Sequence, residues 1–131
     1  MTRVKTHLMF QGDAQNAIDL YASIFNDFQI GNIEYYADGE QVPAGAFKLA
    51  EVSFGGHQFM VFDSPPVHEF SFTPSMSIHV DVNTIELLEE AFSKLSEGGQ
   101  VMMPLDDYGF SKRYGWLADR FGVSWQLNLP T

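Results

Sequence analysis

The stretch Ser75-Met76-Ser77-Ile78-His79-Val80-Asp81-Val82 runs into a capped helix that stops at Gly98-Gly99. In outline it repeats the start of the chain, where Val4 to Phe10 leads into a helix from Asp13. The simplest reading is two copies of one strand-helix-strands unit. A paired repeat is expected to form a cleft between its halves, and the side chains facing that cleft decide its chemistry.

Working outward from that segment, Asn83-Thr84-Ile85-Glu86 has the form of a capping box, with an N-cap and an acid three positions on. Ile85, Leu88, Ala91, Phe92 and Leu95 fall at helical spacing, and Gly98-Gly99 provides a left-handed stop. In the first unit Ala14, Ala17, Ile18, Tyr21, Ile24 and Phe25 share one helix face, with Asp13 placed to cap the free amides. Strands are expected over 28–37, 46–54 and 57–63, the last two joined by a tight hairpin at Gly55-Gly56. The second unit continues with strands over 100–105, 113–118 and 123–129, and Asp119-Arg120-Phe121-Gly122 forms its last hairpin. The proline-rich stretch 65–74 joins the units. The expectation is a single domain over 1–131, with module one about 1–64 and module two about 75–131.

Composition narrows the function classes. A chain of 131 residues can bury a core without disulfide or metal staples. It has no cysteine, which excludes a thiol nucleophile and a thiolate zinc site. The formal charge of -10 opposes nucleic acid and anionic lipid surfaces. The first residues enter a strand pattern directly and no long apolar run follows, so a soluble cytoplasmic protein is expected.

Strand alternation assigns faces. Val123, Trp125, Leu127 and Leu129 form one apolar row, leaving Ser124, Gln126 and Asn128 on the other side. Met76, Ile78, Val80 and Val82 form another, leaving Ser75, Ser77, His79 and Asp81. Either the polar sides simply meet solvent, or they line a pocket of hydrogen-bonding groups.

Three segments carry a family likeness: Gly12-Asp13-Ala14 with Ala17-Ile18-Asp19-Leu20-Tyr21, Leu95-Ser96-Glu97-Gly98-Gly99, and Tyr114-Gly115-Trp116-Leu117-Ala118-Asp119-Arg120-Phe121-Gly122-Val123-Ser124-Trp125-Gln126-Leu127. Together they resemble the PhnB-like group of the vicinal-oxygen-chelate superfamily, which includes glyoxalase I, bleomycin-resistance proteins and extradiol dioxygenases. The likeness spans nearly the whole chain, and its last segment is the most specific. It implies an α+β fold of two βαβββ modules forming a cup-shaped mixed sheet with helices outside, and commonly a homodimer.

In metal-dependent members of the superfamily, ligands come from the first and last strands of each module. Matching by the helix starts and the Asp119 turn puts Thr6, Met60 or Val61, Ser75 and Gln126 at those positions. Such a set lacks the His, carboxylate or thiolate groups that a divalent ion requires. No cofactor is therefore expected. The group often carries the label 3-demethylubiquinone-9 3-methyltransferase, but no glycine-rich strand-to-helix loop for a nucleotide-like methyl donor is visible.

Among single residues, His79 is the candidate acid-base group, since histidine is the side-chain type best suited to proton transfer in water and its parity turns it toward the polar side. Thr6, Ser75, Ser77, Gln126 and Asn128 are candidate ligand-binding residues, with Tyr114 and Trp116 placed to cover a ligand. A one-residue offset from Thr6 makes His7 a packing residue, while His57 and His68 fall at exposed places and Asp106-Asp107 in a solvated loop. The leading expectation is a metal-free binding protein for a neutral or cationic aromatic small molecule. The alternative is a lyase, isomerase or dioxygenase that uses His79 with a displaced metal.

Overall fold

The computed structural model describes residues 1–131. It divides into two compact units, Met1–Glu69 and Phe70–Thr131, with the boundary inside the expected 65–74 connection. The first unit contains β1 (Thr6–Phe10), α1 (Ala14–Ile24), β2 (Gln29–Tyr35), β3 (Phe47–Phe54) and β4 (His57–Asp63). The second contains β5 (Ser77–Asp81), α2 (Ile85–Ser96), β6 (Gln100–Asp106), β7 (Arg113–Ala118) and β8 (Ser124–Leu129). Each is a βαβββ module with one four-stranded sheet, ordered β1-β4-β3-β2 and β5-β8-β7-β6. In both sheets the first strand runs parallel to the last while the remaining pairs are antiparallel, so the repeat read from Ser75–Val82 extends to topology.

The first core forms on α1, whose Ala14, Ala17, Ile18, Tyr21 and Ile24 are buried together with Ala50, Val52, Phe54, Phe59 and Val61 of the sheet. Phe54 stacks between Phe25 at 4.9 Å and Phe59 at 5.4 Å, an arrangement that locks ring orientation as well as burying area. The hairpin between β3 and β4 turns at Gly55 (φ 60°) and Gly56 (φ 75°), which only residues without a Cβ adopt cheaply. Asp27 accepts the Gly55 amide at 2.7 Å and ties this turn to the end of α1.

In the second unit Leu88, Ala91, Phe92 and Leu95 of α2 are buried with Leu117, Val123, Trp125 and Leu127. Burying a side chain of this size contributes about 1.5–3 kcal/mol, so this single row supplies much of the module's stability. Gly115 brings helix and sheet together: a Cβ there would lie 2.4 Å from the Phe92 ring.

Local details differ from the expectations. Thr84, not Asn83, caps α2, accepting the Leu87 amide at 3.2 Å, so Glu86 sits one position too early to close a capping box. Asp13 precedes α1 but only its backbone carbonyl takes part, accepting from Ala17 at 2.9 Å. Met76 lies before β5 and is 74% exposed, so the apolar row of that strand starts at Ile78.

Candidate functional site

The register of the second sheet places Ser77 beside Ser124, His79 beside Gln126, and Asp81 beside Asn128. The next strand continues the same face, with Ala118 opposite Ser124, Trp116 opposite Gln126 and Tyr114 opposite Asn128. On the edge strand β6, Met103 stands opposite Trp116 and Asp106 opposite Tyr114. Side chains paired across strands share a face, so the polar rows on β5 and β8 form one continuous field with the aromatics of β7.

Hydrogen bonds organise that field into two clusters. The first centres on Ser124, whose Oγ is 2.6 Å from Ser77 Oγ and accepts the Trp116 indole N–H at 2.8 Å, with the Pro74 carbonyl at 3.4 Å. Ser124 is 1% exposed, so it positions Trp116 and Ser77 and does not meet a ligand itself. The second cluster centres on Asp81. Its Oδ1 accepts Asn128 Nδ2 at 2.8 Å and lies 3.1 Å from His79 Nε2. The bond from Asn128, opposed by partial desolvation and reinforced by His79, lowers the Asp81 carboxyl below its usual range. Asn128 Oδ1 is buried without a hydrogen-bond partner.

Between the clusters Tyr114 donates its hydroxyl to Gln126 Oε1 at 2.7 Å, which aligns the Gln126 amide. Burial, with Tyr108 as a smaller cause, pushes the Tyr114 phenol above its ordinary value and keeps it a donor at neutral pH. Tyr114 is buried and does not itself cover the face. Phe110 at 4.9 Å and Tyr108 at 5.9 Å meet its ring edge-to-face, and these two are the exposed aromatics at this end of the sheet. The sequence signal for them is an aromatic pair spaced by two, Tyr108-Gly109-Phe110, directly before β7.

The remaining candidates lie elsewhere. Ser75 precedes β5, is exposed, and pairs with Thr73 Oγ1 at 3.0 Å. Thr6 is in the first unit, opposite buried Phe59, and its hydroxyl bonds His57 Nε2 at 2.8 Å. It therefore belongs to the helix-covered side. His7 is exposed opposite Met60, with Phe62 at 6.0 Å, so its expected packing role is reversed. The cause is the parity of β1: Thr6, Leu8 and Phe10 form the inward row and His7 and Met9 the outward one, which Arg3 and Lys5 continue just before the strand. Nor do the residues present suit a metal. The positions implied for ligands carry Thr6, Met60 or Val61, Ser75 and Gln126, and no three His, Cys, Asp or Glu side chains come together.

The first unit has its own hollow on the outward side of its sheet, about 160 Å³ in volume. Arg3, Lys5, Gln29, Glu51, Ser53 and Gln58 supply its polar lining. Sequence reasoning misses it because Thr6, not its neighbours, is the residue assigned to the open side.

Residues 2–128 match the family described as 3-demethylubiquinone-9 3-methyltransferase. The PhnB protein of Bacillus cereus is 41% identical, with 98% of this chain and 99% of that one covered and a TM-score of 0.90. Protein YjdN of Escherichia coli K12 is 24% identical over 94% of this chain and 92% of its own length. At the level of fold alone, a glyoxylase/bleomycin resistance protein/dioxygenase domain from Frankia sp. EAN1pec covers 100% of this chain and 99% of its own, with 13% identity and a TM-score of 0.69. No helix is long and apolar enough to cross a membrane. With paired βαβββ modules, a family match over residues 2–128 and the PhnB protein alike in sequence and fold, the chain belongs to the 3-demethylubiquinone-9 3-methyltransferase family, whose PhnB member it resembles, and it has the fold of the glyoxylase/bleomycin resistance protein/dioxygenase domain.

Proposed function

We propose that the chain is a small-molecule binding protein whose site is the open face of the second sheet, and that its ligand is a neutral or cationic aromatic compound bound without a metal. One observation carries this reading. The face formed by Ser77, His79, Asp81, Gln126, Asn128, Trp116, Met103 and Asp106 contains two carboxylates and no lysine or arginine. Within a chain of formal charge -10, that face attracts cations and repels anions at a distance, an effect that salt weakens.

Trp116, held by its bond to Ser124, supplies a fixed ring for stacking and for cation-π contact. The Gln126 amide N–H groups, aligned by Tyr114, offer neutral donors. His79 and Asp81 are two of the three or more donors a metal-assisted reaction would need, which leaves that alternative without a supporting arrangement. Exposed Ile30 and Tyr35 on edge strand β2, and Val101 on edge strand β6, suit pairing with a second copy as a homodimer.

One ring system in three charge states tests the reading: proflavine (cation), acridine (neutral) and acridine-9-carboxylate (anion) at pH 8, followed by dye fluorescence anisotropy. Proflavine is expected to bind most tightly, acridine less, and the carboxylate least, with the gap closing as salt is raised. Absence of proflavine binding at millimolar dye, or equal binding of the carboxylate, overturns the proposal.

A further inference from the structure

We propose that the hollow on the outward face of the first sheet is itself a binding site, and that it takes a zwitterion carrying an amine and a carboxylate several bonds apart. Arg3 and Lys5 alternate on the outward side and line the hollow, which commits two of the chain's seven lysines and arginines to one small space. Glu51 lines the same space from β3.

The sheet order puts β4 between β1 and β3, and the β4 residues lining the hollow, Gln58, Phe59 and Met60, are uncharged. Strands lie about 4.8 Å apart, so the cationic and anionic sides start roughly 10 Å from each other at the backbone. They do not neutralise one another: neither cation forms an ion pair with Glu51 within 4 Å. Instead Arg3 donates to Gln58 at 3.3 Å and Lys5 approaches the Met60 sulfur at 3.9 Å.

That arrangement selects for charge pattern. An anion alone would pair with Arg3 and Lys5 but leave Glu51 facing it unpaired, and a simple amine would do the reverse, so each forgoes part of the available charge pairing. A ligand bearing both ends satisfies both sides, the guanidinium of Arg3 offering a fork suited to a carboxylate. Gln58 on β4 supplies a neutral hydrogen-bonding group between the ends, and Ser53 and Gln29 add two more at the Glu51 side. The span fits an ω-amino carboxylate better than an α-amino acid, whose charges lie too close together to reach both walls.

The test titrates the whole protein by calorimetry with 6-aminohexanoate, hexanoate, hexylamine and alanine. The expected result is binding of 6-aminohexanoate at least about tenfold tighter than any of the other three. Glu51→Gln should bring it down to the level of hexanoate, and Lys5→Met should bring it toward hexylamine. Both positions sit on the outward surface, and the four-probe comparison on the unaltered protein tests the site independently of the variants. No binding of 6-aminohexanoate, equal binding of hexanoate, or an unchanged affinity in Glu51→Gln overturns the proposal.

Discussion

Replacing Asp119 with alanine should unfold the second module more readily than any other single change to a polar residue. The carboxylate is 3% exposed and closes the turn between β7 and β8. Its Oδ1 accepts the amides of Phe121 at 2.9 Å and Val123 at 3.0 Å, and its Oδ2 accepts the indole N–H of Trp125 at 2.9 Å. In Asp119→Ala the Phe121 amide sits in a half-exposed turn and regains water, but Val123 and the fully buried Trp125 do not. Two buried donors that lose bonds to a charged acceptor cost about 1.5–2.5 kcal/mol each, or roughly 3–5 kcal/mol together. For a domain of this size that lowers the midpoint of thermal unfolding by about 10–20 °C. Urea unfolding, followed in parallel by far-ultraviolet circular dichroism and by tryptophan fluorescence, gives the number. Asp119→Asn keeps one carbonyl acceptor and should fall between the alanine variant and the native protein. A loss below about 1 kcal/mol in Asp119→Ala would refute the reasoning, because it would mean those donors find other partners.

Three further outcomes follow, two from close approach and one from titration. Gly115→Ala forces a Cβ to 2.4 Å from the Phe92 ring and should cost about 1–3 kcal/mol, since a side chain can shift. Gly99→Ala meets the Ala118 carbonyl oxygen at 2.1 Å, and because that atom is backbone its loss in urea stability should exceed that of Gly115→Ala. Asn128→Ala removes the main cause of the lowered Asp81 carboxyl, so a carbon-detected NMR titration should find Asp81 moving up toward its ordinary value. A carboxyl lowered in the folded state stabilises above its unfolded value and loses that contribution as pH falls through the folded one. The acid limb of the stability curve, below about pH 4, should therefore flatten in Asn128→Ala.

The architecture is readable in the chain wherever alternation is strict. Val123, Trp125 and Leu127 are buried as expected, and the helix stripes of α1 and α2 face their cores. Alternation reports a side but not what lies over it, which is why it groups Ser124 with open polar residues although Pro74 and the Trp116 ring enclose it. The same limit hides Tyr114, buried beneath Tyr108 and Phe110 from a loop with no period of its own.

At β1 the alternation is present, Arg3, Lys5 and His7 against Thr6, Leu8 and Phe10, but position matching to metal-binding relatives assigns Thr6 to the open side. The charged parity is the better guide, because three ionisable side chains in a row do not turn toward a helix-covered core. The buried Asp119 carboxylate also has a sequence signature, an Asp at the first and a Gly at the fourth position of a turn, with the Gly122 amide donating to the Asp119 carbonyl at 2.9 Å. What the turn signature lacks is any hint that the Trp125 indole shares the acceptor.

On the proposed function, the open face of the second sheet binds its ligand through Trp116 and Gln126. Proton–nitrogen correlation NMR observes both groups separately, the Trp116 indole N–H and the Gln126 side-chain amide, while the Trp125 indole, held by Asp119 on the opposite side of the sheet, serves as an internal reference. Titration with proflavine should shift the Trp116 and Gln126 signals along one saturating curve and leave Trp125 nearly still. Saturable binding that leaves Trp116 and Gln126 unmoved, or no shift at either up to millimolar dye, would contradict it.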